Sequence, residues 1–221
     1  MKGTINGHIE HVYAEFSGEL SKENIKVEII GKNISATTDS EGRFSLKNVP
    51  TGTYDIKFTR SDIAYFELHD INILGGNTPV VIKDEINMIQ KSTTSITDFN
   101  VQKNNNYLYL SADIEPNDTI SRLIIFCLSK KNNIYIPTHT QSSNDPDFIE
   151  MWAVYSEHVP FYIEIEDYWY SDTLYANAYG ASELYNKVFY KDKETGTIIC
   201  PGVNYEGAPE VKRFIFTSKN N

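Results

Sequence analysis

Three neighbouring runs decide the fold: Ile25-Lys26-Val27-Glu28-Ile29, then Thr37-Thr38-Asp39-Ser40-Glu41-Gly42-Arg43-Phe44-Ser45-Leu46, then Val49-Pro50-Thr51-Gly52-Thr53-Tyr54-Asp55-Ile56-Lys57-Phe58. In each, apolar and polar side chains alternate, the period of a strand with one buried face. Turn chemistry separates them: Gly31-Lys32-Asn33, Asp39-Ser40-Glu41-Gly42 and Pro50-Thr51-Gly52. The Asp39 carboxylate can accept hydrogen bonds from the backbone of its own turn. Gly42 supplies a positive φ that a residue such as Arg43 tolerates poorly. Phe44 and Tyr54 are expected to point inward from facing strands.

The same pattern continues in both directions. Gly3-Thr4-Ile5-Asn6-Gly7 reads as an opening strand, and Ile71-Asn72-Ile73, Gly75-Gly76-Asn77 and Val80-Val81-Ile82 as strand, turn and strand. Further on come Tyr107-Leu108-Tyr109-Leu110, Arg122 to Leu128, Phe148 to Tyr155, Phe161 to Ile165, Leu174 to Tyr179 and Arg213 to Phe216. Asn117-Asp118, Lys131-Asn132-Asn133 and Asp145-Pro146-Asp147 supply turns between them. Short strands at roughly 8–12-residue spacing predict sandwiches or barrels. No long segment holds a 3.6-residue apolar period, so helices should be minor. Gln90-Lys91-Ser92-Thr93-Thr94-Ser95 is polar, lacks large apolar residues and reads as a linker between two units. With 221 residues the chain suits two domains of about 100 residues each.

Composition excludes several classes of function. Hydrophobic residues make up 40% of the chain, enough for packed cores and against global disorder. The formal charge is −10 and no basic run exceeds Lys130-Lys131, so neither nucleic acid nor an anionic membrane is expected as a partner. No stretch approaches the ~20 apolar residues of a transmembrane helix. Two cysteines make no disulfide framework and no zinc set. Cys127 lies in the apolar run Leu123 to Leu128 and is expected to be a small buried hydrophobe, while a single bridge to Cys200 stays open. No signal peptide follows Met1, so an export signal or lipid anchor would have to lie on a segment outside this chain.

The first stretch resembles the carboxypeptidase regulatory-like domain family, with its "V.I.G" strand, "TDxEGxF" turn and "VPxGxY" turn. The resemblance covers about residues 1–90 and implies a transthyretin-like sandwich. Cna-B pilin modules share this sandwich and often carry a Lys–Asn isopeptide bond promoted by a Glu after the "GxY" motif. Ile56 and Phe58 occupy the matching inward positions here, so no such cross-link is expected. Leu174-Tyr175-Ala176-Asn177-Ala178-Tyr179-Gly180 resembles the "YxxRAYA" strand of fibronectin type III-like domains, and Arg213-Phe214-Ile215-Phe216-Thr217-Ser218 their closing strand. The insertion Glu183 to Val211 departs from that pattern. The resemblances together imply an all-β chain of two tandem β-sandwich domains, residues 1–91 transthyretin-like and residues 95–221 fibronectin III/Ig-like. Such pairs are typical of exported or cell-surface proteins, notably of Bacteroidota.

A search for reactive constellations leads away from catalysis. None of His8, His11, His69, His139 or His158 has Glu three residues on, so the zinc motif of a carboxypeptidase is lacking, and His-Glu-x-x-His, Gly-x-Ser-x-Gly and P-loop patterns are lacking too. His8 and His11 read as an ordinary surface pair. Glu164 and Glu166 share one strand face and read as its wet side, not as opposed glycosidase acids. No catalytic residue, metal or cofactor is proposed from the sequence. Three consecutive aromatics, Tyr168, Trp169 and Tyr170, stand between Asp167 and Asp172 in an expected loop, and alternation cannot bury all three. As ligand-binding candidates they would stack on sugar faces or anchor a protein. The alternative is that Trp169 plugs the open end of the sandwich. Trp152 and Tyr155 are expected in the core. The sequence therefore predicts a non-catalytic binding or structural module of an exported cell-surface protein, working through protein or glycan contacts. Its alternative is an accessory carbohydrate-binding protein of a polysaccharide-uptake system.

Overall fold

The computed structural model describes residues 1–104, 107–129, 149–164, 173–191, 193, 198–206 and 212–215. These residues are almost entirely strand and loop, with no α-helix among them. The first half contains β1 (Lys2–Tyr13), β2 (Lys26–Ile29), β3 (Ser35–Thr37), β4 (Arg43–Pro50), β5 (Gly52–Arg60), β6 (Ile63–Ile73), β7 (Val80–Val81) and β8 (Ile86–Ile89). The second contains β9 (Ser95–Asn104), β10 (Tyr107–Glu115), β11 (Leu123–Ser129), β12 (Ile149–Tyr155), β13 (Phe161–Glu164) and β14 (Thr173–Ala181). Four short strands follow: β15 (Tyr190–Lys191), β16 (Ile198–Ile199), β17 (Val203–Asn204) and β18 (Lys212–Ile215).

In the first half, β3-β2-β5-β6 faces a second sheet in which β4 pairs with β1, and β7 and β8 pair with successive parts of β1. Both of those last pairings are parallel, a feature that alternation alone does not reveal. Ile5, Ile9, Phe44 and Leu46 from one sheet meet Val27, Ile29, Ile56 and Phe58 from the other, all buried. Phe44 is the register partner of Gly7, and a Cβ on that glycine would come within 2.3 Å of the Phe44 ring. The missing side chain is therefore the seat of the ring, which reaches Phe58 edge-on at 5.6 Å. Tyr54 packs half-buried against the same core, and Ile56 and Phe58 point inward as expected.

The Asp39 turn forms as its residues dictate. Asp39 Oδ1 accepts from the N–H groups of Glu41 and Arg43 at 3.0 and 2.9 Å, and the Gly42 N–H donates to the Asp39 carbonyl at 2.9 Å. Gly42 has φ +81°, and a Cβ there would lie 2.7 Å from the Ile9 carbonyl oxygen.

In the second half, β13-β10-β9 packs against β12-β11-β14, with β17 and β18 beside β14. Phe99, Leu108, Leu110 and Ile163 meet Ile124, Phe126, Leu174 and Ala178 between the layers. Every residue of β11 is buried. Its other face, Leu123, Ile125 and Cys127, is covered by Cys200, Val203, Tyr185 and Tyr205 from the insertion. An apolar run without alternation is what a strand buried on both faces requires. Cys127 and Cys200 are both buried in this cluster and are not joined by a disulfide.

The polar segment 90–95 is not a loose tether. Ser92 and Thr94 are buried, and the segment lies between two buried charges, Glu15 at 2% and Arg122 at 3% exposure. Glu15 Oε1 accepts from Ser92 Oγ at 2.9 Å and from the Thr93 N–H at 2.7 Å, and Glu15 Oε2 accepts from Thr93 Oγ1 at 2.9 Å. Arg122 Nη1 donates to Thr93 Oγ1 at 3.0 Å and to Thr94 Oγ1 at 3.3 Å. Its Nε and Nη2 grip Asp118 at 3.2 and 2.7 Å, and its guanidinium carbon lies 5.5 Å from the centre of the Phe16 ring. Hydroxyls make the segment read as solvated, yet here they satisfy buried charges.

The insertion acts as a strap between the halves. Val188, with Leu184 and Tyr190, packs against the core of the first half. Lys193 Nζ reaches Asp55 at 3.1 Å and Asp70 at 3.0 Å. The Glu183 N–H donates to the Glu15 carbonyl, and Ser182 Oγ to the Gln90 carbonyl.

Removing either buried charge strands the other's partners. Glu15→Ala and Arg122→Ala are each expected to lower stability by about 3 kcal/mol in urea unfolding. Because both act on Thr93, the double variant should lose less than the sum of the two. Full additivity would show that the clamp is not one network. Acid should act on a different set of groups. Backbone and guanidinium donors of Arg43 hold the Asp39 carboxyl below its usual range, Lys26 and Lys57 do so for Glu28, Arg60 for Asp62 and Arg122 for Asp118. A lowered folded pKa gives stability that is present above the unfolded value, about 4, and lost as pH falls through the folded one. The melting temperature should therefore be level from about pH 7 to 5 and drop on further acidification; a rise there would contradict these pairings. Burial pushes both thiols up, Cys200 to about 11. A disulfide reagent at about pH 8 should label neither cysteine in the folded chain and both after unfolding in guanidinium.

Candidate functional site

Among the described residues, a ligand-like concavity opens where β6, the 90–95 segment and the strap meet. It is a cleft of about 550 Å³ walled by Ala64 and Tyr65 from β6, Lys91 and Ser92 from the segment, and Tyr190, Asn204, Tyr205 and Glu206 from the strap. Alternation along β6 turns Phe66 into the core and leaves Tyr65 at 40% exposure. The Tyr65 and Tyr190 rings meet edge-on at 6.1 Å, and Tyr190 is fixed in turn by Phe66 at 5.9 Å. Tyr205 stands edge-on to Tyr179 at 5.5 Å. Burial, with Cys200 beside it, pushes the Tyr205 phenol well above its usual range, so it stays protonated. Asn204 Nδ2 donates to the Thr94 carbonyl at 2.9 Å, which locks the strap to the segment. The walls thus combine aromatic rings, hydroxyls, an amide and one charge of each sign. Such a set stacks and hydrogen-bonds a ligand. It does not oppose two carboxylates as glycoside hydrolysis needs.

A wider, polar concavity of about 870 Å³ lies at the end of the second sandwich, bordered by Asp113, Glu115, Asp118 and Glu157. Asp118 is taken up by Arg122, and Glu157 accepts from the Ser121 hydroxyl. Its border carries carboxylates and hydroxyls with no aromatic wall.

Under the strap, His69 is half-buried, with Nδ1 at 3.4 Å from Asp55 and Nε2 at 3.5 Å from Glu67. Partial burial pushes the Asp55 carboxyl up, but the Asp70 N–H and Lys193 outweigh it and hold it below the usual range. The two carboxylates lie against different ring nitrogens, so the group does not converge on a point that one metal ion could occupy.

The expected ligand residues Tyr168, Trp169 and Tyr170 lie outside the described residues, as does Glu166. Trp152 is half-buried against Phe161 at a ring distance of 6.4 Å. Tyr155 is instead exposed, its hydroxyl donating to Glu183 at 3.3 Å, because three residues along a strand reverse the face. His8 and His11 do not converge; each ring faces its own carboxylate, Glu10 at 3.1 Å and Glu19 at 2.7 Å. The cleft was not foreseeable from local pattern, since its walls come from residues 64–65, 91–92, 190, 199, 201 and 203–206.

No family model matches the chain, and no curated protein matches it. Solved structures do resemble it. A cohesin–X-dockerin complex from Acetivibrio cellulolyticus matches at 26% identity over 41% of this chain and 59% of its own, with a TM-score of 0.33. The chain therefore spans less than two thirds of that structure's length. A candidate carbohydrate binding protein from Bacteroides uniformis matches at 16% identity over 97% of this chain and 99% of its own, with a TM-score of 0.31. Chicken CNTN1 FN1–FN3 domains match at 9% identity over 98% and 68%, with a TM-score of 0.35. At TM-scores this low the likenesses carry no weight for function, and the all-β sandwich fold rests on the sheets of the chain itself.

Proposed function

We propose that the chain is a non-catalytic binding module of an exported cell-surface assembly, making protein or glycan contacts through rings held on a rigid frame. The frame is read as two β-sandwich domains, residues 1–91 of the carboxypeptidase regulatory-like, transthyretin-like type and residues 95–221 of the fibronectin III/Ig-like type. The Asp39 turn, the Gly42 backbone and the inward Phe44, Ile56 and Phe58 support the first assignment. Placement at the cell surface rests on the sequence resemblance alone. No described helix is long and apolar enough to cross a membrane.

The observation that carries the reading is the tyrosine-lined cleft, whose two walls belong to different halves clamped by Glu15 and Arg122. A site of this kind is preorganised, so little freedom is lost when a ligand enters. Tyr65 and Lys91 are exposed members of it that do not support the core, which makes them residues to change.

The test is binding of the purified chain to arrayed polysaccharides and to peptide libraries, together with an assay for new reducing ends or cleaved peptides. Saturable binding weakened about tenfold by Tyr65→Ala or Lys91→Ala is expected, without any product. Turnover of a bound polymer would refute the non-catalytic reading. Binding indifferent to both substitutions would move the site elsewhere.

A further inference from the structure

The outward face of β13-β10-β9 is built differently from the cleft. Its residues fall into rows by strand register. One row is Gln102, Tyr109 and Tyr162; the next toward one end holds Tyr107 and Glu164; the next toward the other holds Asn100 and Ser111, followed by Asp98 and Asp113. Directly paired residues share a face, and Leu108, Leu110 and Ile163 point the other way into the core. Tyr162 is 62% and Tyr107 48% exposed. Tyr109 and Tyr162 meet at 4.9 Å between ring centres, and Tyr107 stands about 7 Å further along β10, two strand residues away.

We propose that this face is a stacking platform for an extended, uncharged polysaccharide, and that Tyr107, Tyr109 and Tyr162 are its contact rings. Cross-strand stabilisation accounts for the Tyr109–Tyr162 contact. It does not account for leaving the remaining surface of Tyr162 and nearly half of Tyr107 in water beside polar neighbours. Aromatic rings on one sheet face offer π-surface to the CH face of a pyranose, and because the Tyr109 and Tyr162 planes stand 65° apart, one of that pair meets the sugar by its face and the other by its edge. The Gln102 amide, the Asn100 carbonyl and the Ser111 hydroxyl meet the sugar's hydroxyl rim. Asn100 Nδ2 is already given to Asp98 at 2.7 Å, so the amide is held in place.

Two features select the occupant. The charged outward residues of these rows are Glu164, Asp98 and Asp113, all acidic, in a chain of net charge −10, which disfavours an anionic polymer. The exposed ring surface is about 250 Å², from roughly 150–250 Å² per aromatic side chain. A stable protein interface takes about 800 Å² from each partner. A single linear chain of sugars fits that area, whereas a folded protein would have to draw most of its contact from outside the rings. The platform is separate from the Tyr65 cleft and stands or fails without it.

Native affinity electrophoresis of the full chain in gels containing mixed-linkage glucan, xylan, galactomannan, starch or polygalacturonate tests the proposal. At least one neutral polysaccharide is expected to retard the chain. Tyr162→Ala should weaken that retardation about tenfold or more at an unchanged melting temperature, Tyr162→Phe should keep most of it, and Leu74→Ala, at an exposed apolar residue of the first half, should leave it intact. Should Tyr162→Ala fold poorly, Tyr107→Ser removes an exposed ring and must weaken retardation alike. No retardation by any neutral polysaccharide overturns the proposal. So does retardation by polygalacturonate alone, or retardation that survives loss of Tyr162 and Tyr107. Dependence on Tyr65 in place of Tyr162 would assign the sugar to the cleft and overturn the platform. A protein ligand lost with Tyr162→Ala, in a chain that ignores every polysaccharide, would do so too.

Discussion

A carboxylate and a guanidinium, each almost cut off from water, draw hydrogen bonds from one three-residue segment, with Asp118 as a further partner of the guanidinium. Glu15 draws on Ser92 and Thr93, and Arg122 on Thr93 and Thr94, with the Thr93 hydroxyl donating to one and accepting from the other. Neither charge can stay buried unless the segment keeps this conformation, because an unsatisfied buried charge costs several kcal/mol. The segment in turn keeps it only while both halves are in place. Gly180 extends the same constraint: a Cβ there would stand 2.1 Å from the Thr94 carbonyl oxygen, so β14 lies directly on the segment. Orientation of the two halves is thereby fixed by polar satisfaction, with apolar area in a supporting role.

The strap follows from a second constraint. A sheet whose central strand is apolar on both faces needs a cover on each side. The β13-β10-β9 sheet covers one face of β11, and Tyr185, Cys200, Val203 and Tyr205 cover the other. Between Tyr185 and Cys200 the same segment places Val188 and Tyr190 on the first half and Lys193 on Asp55 and Asp70. One insertion therefore closes the second core and tethers it to the first. The cleft between Tyr65 and Tyr205 is the space left where that tether passes the edge of β6.

Much of this was legible wherever a rule acts over two residues. Alternation placed β2, β4, β5, β10 and β13, and the Asp39–Gly42 turn followed from one carboxylate and one glycine. What was not legible depends on partners far away in the chain. Hydroxyls in 92–94 look solvated until Glu15 and Arg122, 77 and 28 residues away, are brought to them. The run Leu123 to Leu128 marked Cys127 as buried, but nothing local said that the strand would be covered on both faces or by what. The parallel pairing of β7 and β8 with β1 is equally a property of the assembled sheet. Of the cleft, only the outward turn of Tyr65 could follow from period, and the sequence did not separate it from any other surface tyrosine.

Rigidity links these features to binding. Aromatic side chains on strands whose alternate residues are locked in a core lose little freedom when a ligand arrives, because the backbone is set and only two side-chain torsions remain. Tyr107, Tyr109 and Tyr162 have that support from Leu108, Leu110 and Ile163, and Tyr65 has it from Phe66. The clamp at 92–94 adds something a single sandwich lacks. It holds one wall of the cleft, on β6, at a fixed distance from the other, on the strap, so that the site exists before any ligand does. Loosening the clamp would leave every ring in its own sheet and still dissolve the cleft, which makes the buried Glu15 and Arg122 positioning groups for a surface they do not touch.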